Sequence, residues 1–167
     1  MVFYETTFTD YPNAEDIAVL VFFSGCSHHC PMCQNPELQK LHAIFSEKKN
    51  EEIIANVIKM CDDNNTNKIV LSGGDCLHEC NLPTTKYLLQ KLSSKYDFMI
   101  YTGYSIDEVI NKGIVGYKYV KCGKYDHNNR QTVEKTDEYI QFVNATQNLY
   151  NHLGEQISTN GRYYFKQ

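Results

Sequence analysis

The chain has 167 residues, and its hydrophobic fraction of 42% is enough to fill the core of one domain. Its formal net charge of −4 argues against a nucleic-acid-binding domain, since such domains are usually basic. The first residues lack the basic region and cleavage site of a signal peptide, and the longest apolar run, 17–23, is too short to span a bilayer. We therefore expect a single domain over 1–167 in the cytoplasm, with neither nucleic acid nor membrane as a partner.

Strand-like and helix-like segments alternate up to residue 120. An unbroken β-branched and aromatic run at 17–23 predicts a strand that is covered on both faces. Apolar residues at helical spacing, with acidic residues in the first turn, predict a helix over 51–62. Similar patterns predict a strand over 68–72, a helix over 84–95, a strand over 97–101, a helix over 105–111 and a strand over 117–120.

Three of the predicted strands lead directly into loops rich in Cys, Gly and polar residues, at 26–33, 73–75 and 101–104. Strands that alternate with helices usually form a parallel sheet with right-handed crossovers, and ligands gather at the carboxyl ends of its strands. We therefore expect the three loops to face one site. The polar remainder of the chain predicts only short strands, at 139–143 and 162–165.

Cys26, Cys30 and Cys33 form a C-x3-C-x2-C pattern just after the first predicted strand. Iron–sulfur clusters are usually held by four thiolates, so a compact set of three predicts a [4Fe-4S] cluster whose fourth iron is open to a substrate or cofactor. Structural zinc is the alternative, because Cys76, Cys80 or a histidine inside the pattern could complete a tetrahedron. The absence of an export signal favours metal ligands over disulfides in either case.

Four further cysteines lie outside this pattern, at Cys61, Cys76, Cys80 and Cys122. We expect them to be small, mostly buried hydrophobic side chains. The alternative is a second metal site or a redox pair formed by Cys76 and Cys80. The two histidines between the first cysteines, His28 and His29, are expected to be spacers that face solvent.

The cysteine pattern and a glycine-rich turn one βα unit later together resemble the radical S-adenosylmethionine superfamily. The residues that carry the resemblance are Cys26-x3-Cys30-x2-Cys33 and Leu71-Ser72-Gly73-Gly74-Asp75. The resemblance implies an α/β fold, a partial (β/α) barrel with about five to six mostly parallel strands, because a full eight-stranded barrel needs about 250 residues.

The resemblance also implies the roles of individual residues. In the superfamily the three cysteines bind the [4Fe-4S] cluster, and the amino and carboxylate groups of S-adenosyl-L-methionine chelate the fourth iron, so Cys26, Cys30 and Cys33 are the implied metal ligands. The implied cofactor contacts are Met32, Asn35, Ser72, Gly73, Gly74, Asp75 and Thr102. The glycine pair would let backbone carbonyls approach the cofactor amino group without an intervening Cβ. No catalytic side chain beyond the cluster and the cofactor is expected.

Within the superfamily the chain is most similar to the activating proteins of anaerobic ribonucleoside-triphosphate reductase. Cys33-Gln34-Asn35, Leu77-His78 and Tyr101-Thr102-Gly103-Tyr104 carry this similarity, although Cys76 stands where members usually have Pro. The similarity implies that a 5′-deoxyadenosyl radical installs a glycyl radical on the reductase. The implied partners are the large subunit of that reductase and a one-electron donor such as reduced flavodoxin or ferredoxin.

Two other functional classes remain open from the sequence. One is another radical S-adenosylmethionine enzyme, such as a pyruvate formate-lyase-type activase or an enzyme of deazapurine synthesis. The other is a zinc-stabilised interaction module in which Cys76 or Cys80 joins the three clustered cysteines. Iron content separates the first class from the second, because only a cluster enzyme would hold about four iron atoms per chain.

Overall fold

The computed structural model describes residues 2–8, 11–12, 17–40 and 47–165. Its strands and helices are, in chain order, β1 (Val2–Phe8), β2 (Ile17–Phe23), α1 (Glu47–Asp63), β3 (Lys68–Gly73), α2 (Leu82–Leu92), β4 (Asp97–Thr102), α3 (Ile106–Asn111), β5 (Tyr119–Cys122), β6 (Glu134–Lys135), β7 (Tyr139–Gln141), β8 (Asn148–Asn151) and β9 (Arg162–Tyr164). Within this part of the chain, every helix lacks the length or the apolar character that crossing a membrane requires.

A six-stranded sheet in the order β1-β2-β3-β4-β5-β8 forms the centre of the fold. Strands β2 to β5 run parallel, whereas β1 pairs antiparallel with β2 and β8 pairs antiparallel with β5. The predicted α/β class and its parallel strands are confirmed, with β5 beginning two residues later than the pattern predicted. Closure of this sheet into a partial barrel of the radical S-adenosylmethionine type stays a prediction.

Alternate side chains of the central strands enter two separate cores. On one face of the sheet, Val19, Val21 and Phe23 of β2 join a core that includes apolar residues of the three helices. On the other face, Ala18 and Leu20 of the same strand join a core that includes the small sheet β6-β7-β9. The prediction that 17–23 is covered on both faces is therefore confirmed.

The small sheet explains how the second face is covered without helices. Its strands β7 and β9 correspond to the short strands predicted at 139–143 and 162–165. The edge strands β1 and β8 were not predicted, and neither was the two-residue strand β6. β8 has only four residues, with Asn at both ends and one fully buried residue, Leu149, so its pattern is too short to carry a clear strand signal.

Two helices begin shortly after strand ends and thereby fix the loops between them. Helix α2 has Pro83 in its first turn, where the missing N–H of proline costs no helical hydrogen bond. Helix α3 begins with a capping box, in which the Ser105 hydroxyl accepts the Glu108 N–H and the Glu108 carboxylate accepts the Ser105 N–H. The loop that precedes α3 is consequently anchored where the helix begins.

Candidate functional site

A cleft lies at the carboxyl ends of the parallel strands, where the topology predicts that a ligand binds. Its cavity volume is about 150 Å³, and the cleft is open to solvent on one side. Its walls come from the cysteine loop, from 72–74 at the end of β3, from 101–103 at the end of β4, from Lys121 near the end of β5, and from Gln147. The expectation that three loops face one site is confirmed.

All three cysteines of the C-x3-C-x2-C pattern line this cleft. Cys26 is buried, whereas Cys30 and Cys33 are half-buried. The His28 backbone N–H lies 3.4 Å from the Cys26 Sγ, as a donor to sulfur would. Burial raises the pKa of the Cys26 thiol, and the nearby charge of Asp75 raises it further, while the His28 N–H opposes both effects. A bound metal would therefore have to displace a proton from Cys26.

The cysteines outside the pattern lie away from the cleft walls. Cys61, Cys76 and Cys122 are buried, and burial raises their thiol pKa values, to about 11 for Cys61 and about 12 for Cys122. Their expected character as small buried side chains is confirmed. Cys80 is half-buried, and its Sγ lies 3.1 Å from the Nδ1 of His78.

In the zinc alternative, Cys76, Cys80 or a histidine inside the pattern would join the three clustered cysteines. The Cys76 Sγ instead lies 3.7 Å from the carbonyl oxygens of Leu71 and Tyr101 inside the protein. Across residues 2–8, 11–12, 17–40 and 47–165, no three His, Cys, Asp or Glu side chains are grouped as a single metal ion would need.

The glycine pair after β3 is required by the neighbouring backbone. The Gly74 N–H donates to the Phe23 carbonyl at 2.7 Å, and the Asp75 N–H donates to the Gly25 carbonyl at 2.9 Å, so this turn continues the pairing of β2 with β3. A Cβ on Gly74 would lie 2.7 Å from the Gly25 oxygen, and Gly73 has a φ of +114°. The sequence interpretation placed the reason for these glycines in the cofactor and missed this internal cause.

Asp75 is almost completely buried, and its carboxylate faces other loops of the protein. It accepts the Leu77 N–H at 2.8 Å, the Gly103 N–H at 2.9 Å and the Thr102 hydroxyl at 2.9 Å. It also lies 2.8 Å from the Nε2 of His28. Ser72, Gly73, Gly74 and Thr102 line the cleft, whereas Asp75 lies behind them and joins three loops.

The remaining predicted cofactor contacts have different surroundings. Asn35 lines the cleft. The Met32 side chain is 71% exposed and its backbone has a φ of +56°, and the cleft wall does not include it. Contact of Met32 with an adenine ring stays a prediction.

Three residues that contribute to the site were missed by the sequence interpretation. His28 is not a solvent-facing spacer, since its side chain is only 9% exposed. Asn81 is fully buried, and its Nδ2 donates to the Asp75 carbonyl at 2.8 Å and to the Ser24 carbonyl at 3.0 Å. Lys121 is 5% exposed, and its Nζ lies 3.8 Å from the centre of the Tyr101 ring. A signal was available only for Lys121, a charged residue directly after the strand predicted at 117–120.

The donor set fits an iron–sulfur cluster. Cys26, Cys30 and Cys33 supply three soft sulfur ligands to one cleft, and iron–sulfur clusters are held by thiolates. A backbone N–H beside the Cys26 sulfur is the type of hydrogen bond that tunes such clusters. Ser72, Thr102 and Lys121 line the same cleft and offer polar contacts to a second ligand.

Comparisons with known proteins agree with this donor set. A family model described as a 4Fe-4S single cluster domain matches residues 13–148. The chain is 33% identical over 107 residues to the anaerobic ribonucleoside-triphosphate reductase-activating protein of Salmonella typhimurium, and the match covers 60% of this chain and 67% of that protein. Proteins of the same name from Escherichia coli and Haemophilus influenzae are 31% and 32% identical over similar spans, each 60% of this chain and 67% of the relative. No solved structure matches the chain significantly.

Proposed function

This chain belongs to the 4Fe-4S single cluster domain family, and from that premise we propose that it is an activating enzyme for an anaerobic ribonucleoside-triphosphate reductase. One observation carries the proposal: Cys26, Cys30 and Cys33 share a cleft with the Ser72–Gly74 wall at the carboxyl ends of the parallel strands. The names of the relatives support the choice of partner. Within the proposal, the chain acts as one cytoplasmic domain.

Cys26, Cys30 and Cys33 would hold the [4Fe-4S] cluster and leave its fourth iron to S-adenosyl-L-methionine. A reduced cluster held there would supply the electron for reductive cleavage of the cofactor, which is the chemistry that installing a glycyl radical on the reductase would need. The chain itself positions these groups. The buried Cys26 would form the part of the cleft wall that keeps water from the neighbouring ligands.

The Gly73-Gly74 turn would form the wall against the methionine end of the cofactor. Its backbone is held by the pairing with Phe23 and Gly25, so the wall is rigid before any ligand arrives. Asp75 supports the proposal as a positioning residue, because it holds this turn and the Thr102-Gly103 segment in one arrangement. Direct contact of Asp75 with the cofactor stays a prediction.

Lys121 would supply the positive charge that a cofactor carboxylate needs. Among the described residues that line the cleft, Lys121 is the one side chain with a formal charge, leaving aside cysteine and histidine. Its ammonium packs on the Tyr101 ring at 3.8 Å and lies 5.2 Å from the Phe142 ring, so little of it is hydrated. A poorly hydrated ammonium binds a carboxylate more strongly than an exposed one does.

The experiment that tests the proposal combines the anaerobic, reconstituted protein with reductant, S-adenosyl-L-methionine and the large reductase subunit. We expect brown protein with about four iron atoms per chain, release of 5′-deoxyadenosine, and a glycyl EPR doublet that appears only when the reductase is present. Cofactor cleavage without the doublet would assign the chain to another class of radical enzyme. Colourless protein with one zinc per chain would refute the cluster.

A further inference from the structure

His28 lies between two of the proposed cluster ligands, yet its side chain is packed inside the protein. Its Nε2 lies 2.8 Å from the Oδ2 of Asp75, and only 9% of the side chain is exposed. The imidazole meets the Tyr104 ring edge-on, with ring centres 4.5 Å apart. The adjacent His29 is exposed, so two neighbouring histidines of the same loop have opposite environments.

The partner of His28 is the carboxylate that joins the other two loops of the site. Asp75 accepts hydrogen bonds from the Gly103 N–H and the Thr102 hydroxyl at the end of β4, and it directly follows the glycine turn of β3. The His28 imidazole adds the cysteine loop to this network. One buried carboxylate thus connects the segments after β2, β3 and β4.

Gly103 provides independent support for the fit of the His28 ring. A Cβ at this position would lie 2.7 Å from the His28 Nε2 and 2.9 Å from its Cγ, so any larger residue would push the imidazole away from Asp75. Gly103 does not have the positive φ that would otherwise explain a glycine. Space for His28 is therefore the structural reason for a glycine at this place.

The backbone of His28 links this contact to the proposed ligands. Its N–H lies 3.4 Å from the Cys26 Sγ, so a rotation that released the imidazole would also disturb this hydrogen bond. Hydrogen bonds to ligand sulfurs help set the reduction potential of iron–sulfur clusters. The position of the imidazole thus bears on both the placement and the electronics of the site.

We propose that His28 is a positioning residue, which clamps the cysteine loop to Asp75 and so fixes Cys26 and Cys30 relative to the Ser72–Gly74 wall. The inference rests on the proposed function, because the clamp affects chemistry only if the cysteines hold a cluster. The clamp acts through the Asp75 carboxylate, and the His28 ring itself lines the cleft.

The test compares His28→Ala with His29→Ala, a matched change of the exposed neighbour in the same loop. Each protein is reconstituted anaerobically, and iron content, the EPR spectrum of the reduced cluster, its midpoint potential and the KM for S-adenosyl-L-methionine are measured. We expect His28→Ala to have a broadened EPR spectrum, a more negative potential and a KM about tenfold higher, the usual size of an outer-shell effect. His29→Ala should match the unmodified protein.

Two further variants keep the test decisive if His28→Ala folds poorly. His28→Gln keeps an amide donor that can reach Asp75, and it should restore most of the potential and the KM. Gly103→Ala should displace the imidazole from the opposite side, and it should reproduce the EPR and KM changes of His28→Ala. The double variant should then be no worse than either single variant.

The outcomes separate this inference from the proposed function. If the unmodified protein and His29→Ala hold a cluster and cleave the cofactor, but His28→Ala and Gly103→Ala match them in spectrum, potential and KM, the clamp is refuted and the proposed function stands. If the unmodified protein binds no iron, the proposed function is refuted and the clamp with it.

Discussion

Two carboxylates that lie at opposite ends of the parallel strands have very different surroundings. Asp97, at the start of β4, binds the ammonium groups of Lys68 at 2.9 Å and Lys118 at 2.8 Å. Its side chain is 20% exposed, and that of Lys118 is 56% exposed. Asp75, beyond the end of β3, is 1% exposed and is bound by backbone N–H groups, a hydroxyl and an imidazole.

The difference shows where the fold requires fixed geometry. Around Asp97 the partners are two long, flexible side chains. Lys118 is 56% exposed, so its ion pair contributes little, whereas Lys68 is 16% exposed. Around Asp75 the partners are rigid parts of three loops, and each would be left unsatisfied in the interior if the carboxylate were lost. We therefore expect substitutions to be tolerated at the amino ends of the strands. We do not expect this at their carboxyl ends, where the cleft lies.

The largest effect is expected for loss of a proposed cluster ligand. Cys30→Ala should remove nearly all iron and all cofactor cleavage while changing the free energy of unfolding by less than about 1 kcal/mol, because Cys30 is only half-buried. Cys61→Ala is the control, since Cys61 is buried in helix α1, outside the cleft wall. Iron analysis of both variants should give bound iron for Cys61→Ala alone, and iron retained by Cys30→Ala would contradict the ligand assignment.

Asp75→Asn should have the next largest effect. The amide nitrogen of Asn would face an N–H or O–H donor at a place where a carboxylate oxygen now accepts a hydrogen bond. Removing a buried acceptor of this type lowers the free energy of unfolding by about 3 kcal/mol. Urea unfolding of the apo-protein measures this loss directly. A loss of unfolding free energy no greater than that of Asp97→Asn would contradict the difference between the two ends of the strands.

Lys121→Met should weaken cofactor binding without unfolding the protein. Loss of the ammonium should reduce the affinity for S-adenosyl-L-methionine about tenfold, the usual size of one charge-assisted hydrogen bond. Affinity for the decarboxylated analogue should change far less, because that ligand has no carboxylate to lose.

Lys118→Met is the matched control for this prediction, because Lys118 is the exposed lysine that binds Asp97 at the other end of the strands. Isothermal titration of both variants with both ligands would decide the matter. Equal losses for the two ligands would show that Lys121 does not contact the carboxylate.

The smallest effect is expected at Asp97. Burial alone would raise the pKa of this carboxyl, but the hydrogen bonds from Lys118 and Lys68 outweigh it and hold the pKa below its usual value. The folded pKa is therefore lower than the unfolded one, so the stabilisation is present above about pH 4 and is lost as the pH falls through the folded pKa.

Asp97→Asn should accordingly reduce the free energy of unfolding by about 0.5–1 kcal/mol at neutral pH. The difference from the unmodified protein should disappear once the pH falls below the lowered pKa of folded Asp97. Urea titrations at several pH values measure it, and a difference that persists at low pH would mean that the ion pairs are not its cause.

Periodicity identified the strands and helices that build the site. The apolar run of β2 predicts a strand, and the helical spacing of apolar residues in α1 predicts a helix. The three loops could be assigned to one site because parallel strands place their carboxyl ends on the same side of the sheet. The edge strands β1 and β8 were missed, since pairing at an edge depends on tertiary contacts more than on local pattern. The small sheet over the second face was only partly foreseen, for the same reason.

The side-chain network behind the cleft could not be predicted from sequence. The His28 contact with Asp75 joins residues 47 positions apart, and no local pattern distinguishes His28 from His29. Asn81 likewise reads as an ordinary residue before a helix, although it is fully buried and binds two loops. Spacing located the three cysteines, whereas the partners that hold their loop in place are defined only by the fold.

The central claim is that the cleft holds a cluster whose open iron binds S-adenosyl-L-methionine. The most direct test is electron–nuclear double resonance of the reduced, reconstituted protein with cofactor labelled with ¹³C in the methionine carboxylate. We expect a hyperfine coupling between the cluster and the labelled carbon, which should be absent when unlabelled cofactor is used. A cluster that forms in full yield but shows no coupling to the label would contradict the claim.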